Sequence, residues 1–228
     1  IGRCMAARIA AQGPTPLVVP NWPDPAIRPD PAAAQAFRAQ HGLSGRFVAM
    51  YSGNFGRAHP FDSLLAAALR LRDRRPDIAF VMIGDGSRHA AVHAEARRRG
   101  LADTMTFLPL QPAALLPASL GAADLHLATM AGEAAGMMVP CKVYGALAAA
   151  RPCLLLGPAD GEAARLITEA GVGHVLPPDC GAGVLADRIA FLADHPGLRA
   201  AMGRRAAAAA GGLAPAAARF LALAGRLV

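Results

Sequence analysis

Lysine is almost missing from this sequence: Arg and Lys together number 23, and every one of them except Lys142 is arginine. Aromatic residues make up only 5%, and no basic stretch is interleaved with stacking rings, which argues against a single-stranded nucleic-acid channel. The four cysteines, Cys4, Cys141, Cys153 and Cys180, are far apart with no C-x-x-C, so neither a zinc site nor a disulfide framework is indicated and a reducing cytoplasmic setting fits best. No apolar run approaches the roughly 18 to 20 residues that span a bilayer, and no signal peptide is recognisable. The H-E-x-x-H, G-x-S-x-G and P-loop patterns are absent as well.

What is present is a composition able to bury a full core: 54% of the 228 residues are hydrophobic and only 17% charged. That suits one domain, or one domain with an appendage, and not a disordered chain. The formal charge of +7 would suit any densely anionic partner, from nucleic acid to lipid to a phosphorylated small molecule, but it is too diffuse to choose among them. The chain opens at Ile1 in a helical pattern without an initiator Met, the expectation for a fragment of a longer protein.

Residues 1–13 read as helix, and Leu17, Val18 and Val19 as a short strand. The prolines between Pro14 and Pro31 prevent regular structure there, as in a hinge or linker. Short apolar runs then recur at 47–51, 80–83, 105–108, 125–128, 153–156 and 174–176, separated by amphipathic stretches. In the first of these stretches Phe61, Leu64, Leu65, Ala68 and Leu69 fall on one helical face. Strands that are nearly all apolar, alternating with helices, predict an α/β fold: a Rossmann-like parallel sheet covered by helices on both faces, with ligands bound beyond the carboxyl ends of its strands. The expected division is 1–42 as amino-terminal remnant and linker, 43–210 as the Rossmann-like domain and 211–228 as a terminal helix, with Gly211 and Gly212 between the last two helices.

Several residues stand where that sheet would gather chemistry. The first strand runs into Ser52-Gly53-Asn54-Phe55-Gly56-Arg57 and a helix, a turn whose backbone N–H groups can approach a phosphate and whose Arg57 offers a forked donor; the alternative is a turn of mere geometry. His59 is close enough to reach the same phosphate, or else is a solvated helix-start residue. Gly84, in Ile83-Gly84-Asp85-Gly86, marks a second turn at the same edge. Pro140 is placed as a first helical residue, which puts Lys142 in the first turn, where a cation opposes the dipole; either an anion is nearby or the lysine is merely solvated. Cys141 beside it is a small packing residue or an activated thiol. Glu162 opens a later helix and serves either a ribose or the helix dipole, and Glu133 lies in a loop where it contacts a sugar or nothing. His89 and His93, four apart, resemble half a metal site but lack a third ligand and read as exposed helix residues.

In order and spacing these segments resemble family 4 glycosyltransferases of the GT-B fold, of the bacterial surface-polysaccharide type related to colanic acid and fucosamine transferases. The resemblance runs from Val19-Pro20-Asn21-Trp22 through the Gly53 turn, the Gly84 turn, Phe107-Leu108-Pro109-Leu110-Gln111-Pro112, Ala122-Ala123-Asp124-Leu125-His126-Leu127 and Val139-Pro140-Cys141-Lys142-Val143-Tyr144-Gly145 to Asp160-Gly161-Glu162. It implies the carboxyl-terminal donor domain of an enzyme that transfers a sugar, with retention, from a nucleoside-diphosphate sugar to a glycan or polyprenyl-linked acceptor held by an absent amino-terminal domain. By the same resemblance Lys142, Arg57 and Glu133 are catalytic. Gly53 and Asn54 join Lys142 and Arg57 around the diphosphate, Gly56, His59 and Gly84 are also donor-binding, Pro109, Leu110 and Gln111 meet the base, and Glu162 meets the ribose. No metal or other cofactor and no nucleic-acid partner are expected, and the location is cytoplasmic, with peripheral contact at the inner face of the plasma membrane. Two departures stand out. The paired glutamates of many relatives are replaced by Met137 and Gly145, and the usual lysine of the glycine turn is missing, with His59 near its place. A non-catalytic nucleotide-sugar-binding module and a nucleotide-sugar epimerase are the alternatives on this architecture.

Overall fold

The computed structural model describes residues 2–210 and 213–225. Its elements run α1 (Arg3–Ala10), α2 (Pro31–Gln40), β1 (Phe47–Ser52), α3 (Asp62–Arg72), β2 (Ile78–Ile83), α4 (His89–Arg98), β3 (Met105–Leu108), α5 (Leu116–Gly121), β4 (Leu125–Thr129), α6 (Lys142–Ala148), β5 (Cys153–Leu156), α7 (Glu162–Glu169), β6 (Gly173–Leu176), α8 (Gly181–Asp194), α9 (Pro196–Ala209) and α10 (Leu213–Ala224). The strands form a six-stranded parallel sheet in the order β3-β2-β1-β4-β5-β6. This is the doubly wound arrangement, in which strand order reverses between β1 and β4 and leaves a crevice beyond their carboxyl ends.

The alternation within β1 shows why both faces are covered. Phe47, Ala49 and Tyr51 pack into a cluster with Leu64, Leu65 and Ala68 of α3 and Leu185 and Ile189 of α8. Val48 and Met50 point the other way, toward Phe37 of α2 and Ala122 and Ala123 after α5. Side chains at period 2 from one buried strand thus demand a helical layer on each side. The layer on the second face begins with α2, whose start is written locally: Asp30 accepts a hydrogen bond from the Ala33 amide at 2.9 Å and Pro31 occupies the first turn.

Three local expectations change. Residues 17–19 form no strand, because they lie outside the sheet and join none of its ladders. The glycine turn does not lead straight into a helix: residues 53–61 form a loop and α3 starts only at Asp62, an acid in the favourable first turn. Helix α6 starts at Lys142 itself, so Pro140 lies before the helix instead of opening it. Gly211 and Gly212 lie outside the described residues. No helix among the described residues is long and apolar enough to cross a membrane.

Candidate functional site

At the switch point two turns interlock. The Gly53 amide donates to the Ile83 carbonyl at 2.9 Å and the Phe55 amide to the Asp85 carbonyl at 2.8 Å, so the loop after β1 continues the register of the sheet against the loop after β2. Gly84, with φ of +139°, is required there because a Cβ would collide with the Gly53 carbonyl. Gly86 leaves room for the Asn54 side chain and the Phe55 backbone, and Gly56 borders the same Asn54 amide. The second turn therefore shapes the first, and Gly84 acts through that close packing.

Lys142 lies against this turn from the start of α6. A Cβ added at Gly53, whose φ is +148°, would sit 3.0 Å from the Lys142 Cε, so a side chain at 53 would displace the lysine as well as strain the backbone. The ammonium lies 4.8 Å from the centre of the Tyr51 ring and 3.3 Å from His59 Nε2. No carboxylate pairs with it among the described residues. Burial pushes its pKa down to about 8, with Cys141 pulling weakly the other way. A half-buried cation with a ring face and an imidazole nitrogen for company, and no counter-ion among the described residues, is an arrangement that an anion would complete.

His59 is itself buried, at 4% exposure, which removes the solvated helix-start alternative. Its Nδ1 lies 2.5 Å from the Thr129 carbonyl at the end of β4. A carbonyl only accepts, so Nδ1 carries the proton and Nε2 is left as an acceptor for Lys142. Burial first, and the Lys142 charge second, hold the His59 pKa below its ordinary value. The Ala131 amide donates to the Ala58 carbonyl at 2.9 Å, so the loops after β1 and β4 are laced together at two points.

The other expected residues scatter more widely. Arg57 is exposed on the same loop two residues before His59. Glu133 is exposed on a 3-10 turn between β4 and α6. Pro109 and Leu110 are exposed and Gln111 half-buried at the carboxyl end of β3, with the Gln111 amide folded onto the Pro109 carbonyl at 2.8 Å. Glu162 is turned elsewhere: its carboxylate accepts from the Arg3 backbone amide at 2.7 Å, at the amino end of α1. It borders a cleft of about 210 Å³ with Arg3, Asn21 and Tyr144. A carboxylate placed against free helix amides satisfies donors that have no intrahelical partner. Gly145, one of the two departures, is where a Cβ would press on Leu120 at 3.3 Å; its smallness lets α5 and α6 approach. His93 is exposed and stacks on Phe107, but His89 is half-buried between Phe55 and Phe107, a correction to its reading as an exposed residue. Among the described residues no group of three His, Cys, Asp or Glu is placed to hold a metal. Sequence reasoning missed Tyr51, whose position at the end of an apolar strand was the available signal, and Thr129, which acts through its backbone carbonyl and leaves no signal in residue type.

Comparison with known proteins agrees with the architecture. Over 167 residues the chain is 32% identical to WcaI of Escherichia coli (strain K12), named for colanic acid biosynthesis glycosyl transfer, covering 72% of this chain and 40% of that one. It is 31% identical over 183 residues to the glycosyltransferase WbjE of Pseudomonas aeruginosa, covering 78% and 45%, so the chain spans less than half the length of these curated relatives. Among solved structures, Anabaena HepE in complex with UDP and glucose superposes with a TM-score of 0.82 at 20% identity, covering 97% of this chain and 60% of that one. WaaG, a glycosyltransferase involved in lipopolysaccharide biosynthesis, superposes at 0.71 and 20%, covering 85% and 51%. These likenesses establish the GT-B type of fold. Residues 34–209 match the family of glycosyl transferases group 1, and the chain belongs to that family.

Proposed function

We propose that this chain is the donor-binding half of a retaining glycosyltransferase, and that it holds the diphosphate of a nucleoside-diphosphate sugar at the switch point of its sheet. The observation that carries this reading is the sole lysine, half-buried without a carboxylate against the Gly53 turn. Two phosphates would bring negative charge to a preorganised cation and to backbone amides of the turn, and that charge grows as the sugar departs, so the stabilisation rises in the transition state. Arg57 is assigned to the outer face of the diphosphate, Glu133 to the sugar, and the 109–111 loop to the base. Glu162 accepts from the Arg3 amide through Oε2, which leaves Oε1 to accept from a ribose hydroxyl, so we assign it to both α1 and the ribose.

The names of WcaI and WaaG, and the UDP bound to HepE, support a nucleotide-sugar donor and a role in bacterial surface polysaccharide synthesis. The acceptor, a glycan or polyprenyl-linked sugar at the cytoplasmic membrane face, is assigned to sequence beyond this half. Calorimetric titration of the chain with UDP, GDP, ADP and TDP and their nucleosides tests the reading. One nucleoside diphosphate should bind at least about tenfold more tightly than its nucleoside, a difference of about 1.4 kcal/mol, and chelator should leave that binding unchanged. Equal affinity for the pair would remove the phosphate site from the account.

A further inference from the structure

Lys142 has a flexible four-carbon stem, yet it is half-buried and its ammonium is fixed by neighbours that carry no negative charge. Several segments contribute: Tyr51 from β1, Gly53 and His59 from the loop that follows, and Cys141 at the start of α6. A carboxylate in the place of His59 would also fix the ammonium, but it would cancel the charge that an arriving diphosphate needs. An imidazole whose Nδ1–H is occupied by a carbonyl fixes it without cancelling anything, because its Nε2 offers a neutral lone pair.

We propose that His59 is a positioning residue for Lys142: anchored on the Thr129 carbonyl, it uses Nε2 to set where the ammonium stands over Tyr51 and the Gly53 turn, and it touches no phosphate itself. This replaces the direct donor contact expected of His59 and rests on the reading that Lys142 faces the diphosphate. It also connects β4 to the site through a backbone atom: Thr129 fixes the ring, the ring fixes the lysine, and the lysine meets the ligand. Burial and the Lys142 charge both keep the ring neutral near pH 7, as an acceptor must be.

The test compares two isosteres and one double variant. The Gln side chain can put an acceptor oxygen near the position of Nε2, whereas the Asn side chain reproduces only the Nδ1 donor. With the nucleoside diphosphate that binds the chain most tightly among UDP, GDP, ADP and TDP, His59→Ala and His59→Asn should each weaken binding about tenfold, while His59→Gln stays within about threefold of the parent. In a Lys142→Met background, His59→Ala should add no further loss, because residues acting through one another are not additive. Since Lys142 is the sole lysine, its Nζ and Cε resonances need no assignment, and they should shift in His59→Asn but hardly in His59→Gln. Equal affinity of the Asn and Gln variants, or an undiminished His59→Ala loss in the Lys142→Met background, overturns the positioning role. If His59→Ala fails to fold, the Asn and Gln pair decides alone. Failure of the donor-site reading is separate: Lys142→Met would then bind as tightly as the parent, whatever His59 does.

Discussion

The two edges of the sheet treat their cations in opposite ways. At the amino edge Arg38 donates to the Ala122 carbonyl and pairs with Asp124, Arg151 donates to the Gly121 carbonyl, and Arg199 donates to the Leu192 and Ala193 carbonyls. These are the carbonyl ends of α5 and α8, where a cation completes unsatisfied acceptors and complements the dipole. The carboxyl edge has Lys142, equally withdrawn from water but joined to no carbonyl or carboxylate among the described residues, only to a ring face and an imidazole nitrogen. The difference teaches that burial of a cation is uninformative until its acceptors are counted. Arginines that meet helix ends hold the fold, and the lysine that meets none is available to a ligand.

The sharpest way to break this comparison is to remove one cation from each edge. Lys142→Met should weaken nucleoside-diphosphate binding 30- to 100-fold, about 2–3 kcal/mol, as expected for loss of a charge-assisted bond, while leaving stability unchanged or raised because a half-buried charge without a carboxylate partner is gone. Arg151→Ala should do the reverse, costing about 1–3 kcal/mol of stability through the orphaned Gly121 carbonyl and leaving affinity alone. Paired titration calorimetry and urea denaturation read both effects, and a shared pattern for the two variants would dissolve the distinction.

Alkali should act on the carboxyl edge. Burial brings Lys142 down to about 8, and a bound diphosphate favours the charged form, so its pKa rises in the complex. Affinity is therefore greatest below pH 8 and should fall by up to about tenfold per unit as pH climbs from the free toward the bound value. The fall should vanish in Lys142→Met, as measured by binding between pH 7.5 and 9.5.

Acid should act toward the amino edge. His126, on β4, lies within 3.0 Å of the Leu120 carbonyl, and burial pushes its pKa down to about 4. The unfolded chain takes up that proton near its ordinary value of about 6.5 and the folded chain does not, so stability should drop as pH falls from about 6.5 toward 4, by up to about 1.4 kcal/mol per unit. Chemical denaturation across that range should show the slope reduced in His126→Gln.

The smallest expected effect concerns backbone alone. Ala150, with φ of +56°, ends α6 in the left-handed region, and the Arg151 amide reaches back to the Ala146 carbonyl at 3.0 Å in a helix-terminating turn. Glycine suits that position, so Ala150→Gly should stabilise the chain by about 1 kcal/mol without touching diphosphate affinity.

How much of this was legible follows from which interactions are local. Strand positions were readable because the four inner strands β1, β2, β4 and β5 are buried on both faces, and apolar runs such as 153–156 announce that directly. The isolated Lys142 was readable from its rarity and its place near a helix start. The burial of His59 against the Thr129 carbonyl was not, because that carbonyl is 70 residues away in sequence and backbone atoms carry no residue signature. The Glu162 contact was hidden for a similar reason: its position at a helix start was readable, but the amide it meets belongs to α1, across 159 residues. Residues 17–19 looked like a strand because apolar β-branched residues do, yet a strand needs a partner that short-range pattern does not supply.

The central claim can be examined most directly by crystallising the chain with the nucleoside diphosphate it binds best. The account predicts phosphate oxygens within hydrogen-bonding distance of Lys142 Nζ and of backbone amides in the turn that begins at Gly53, with His59 still on the Thr129 carbonyl. A diphosphate seated instead among Arg151, Arg199 and Arg204 at the opposite edge, with Lys142 untouched, would contradict it.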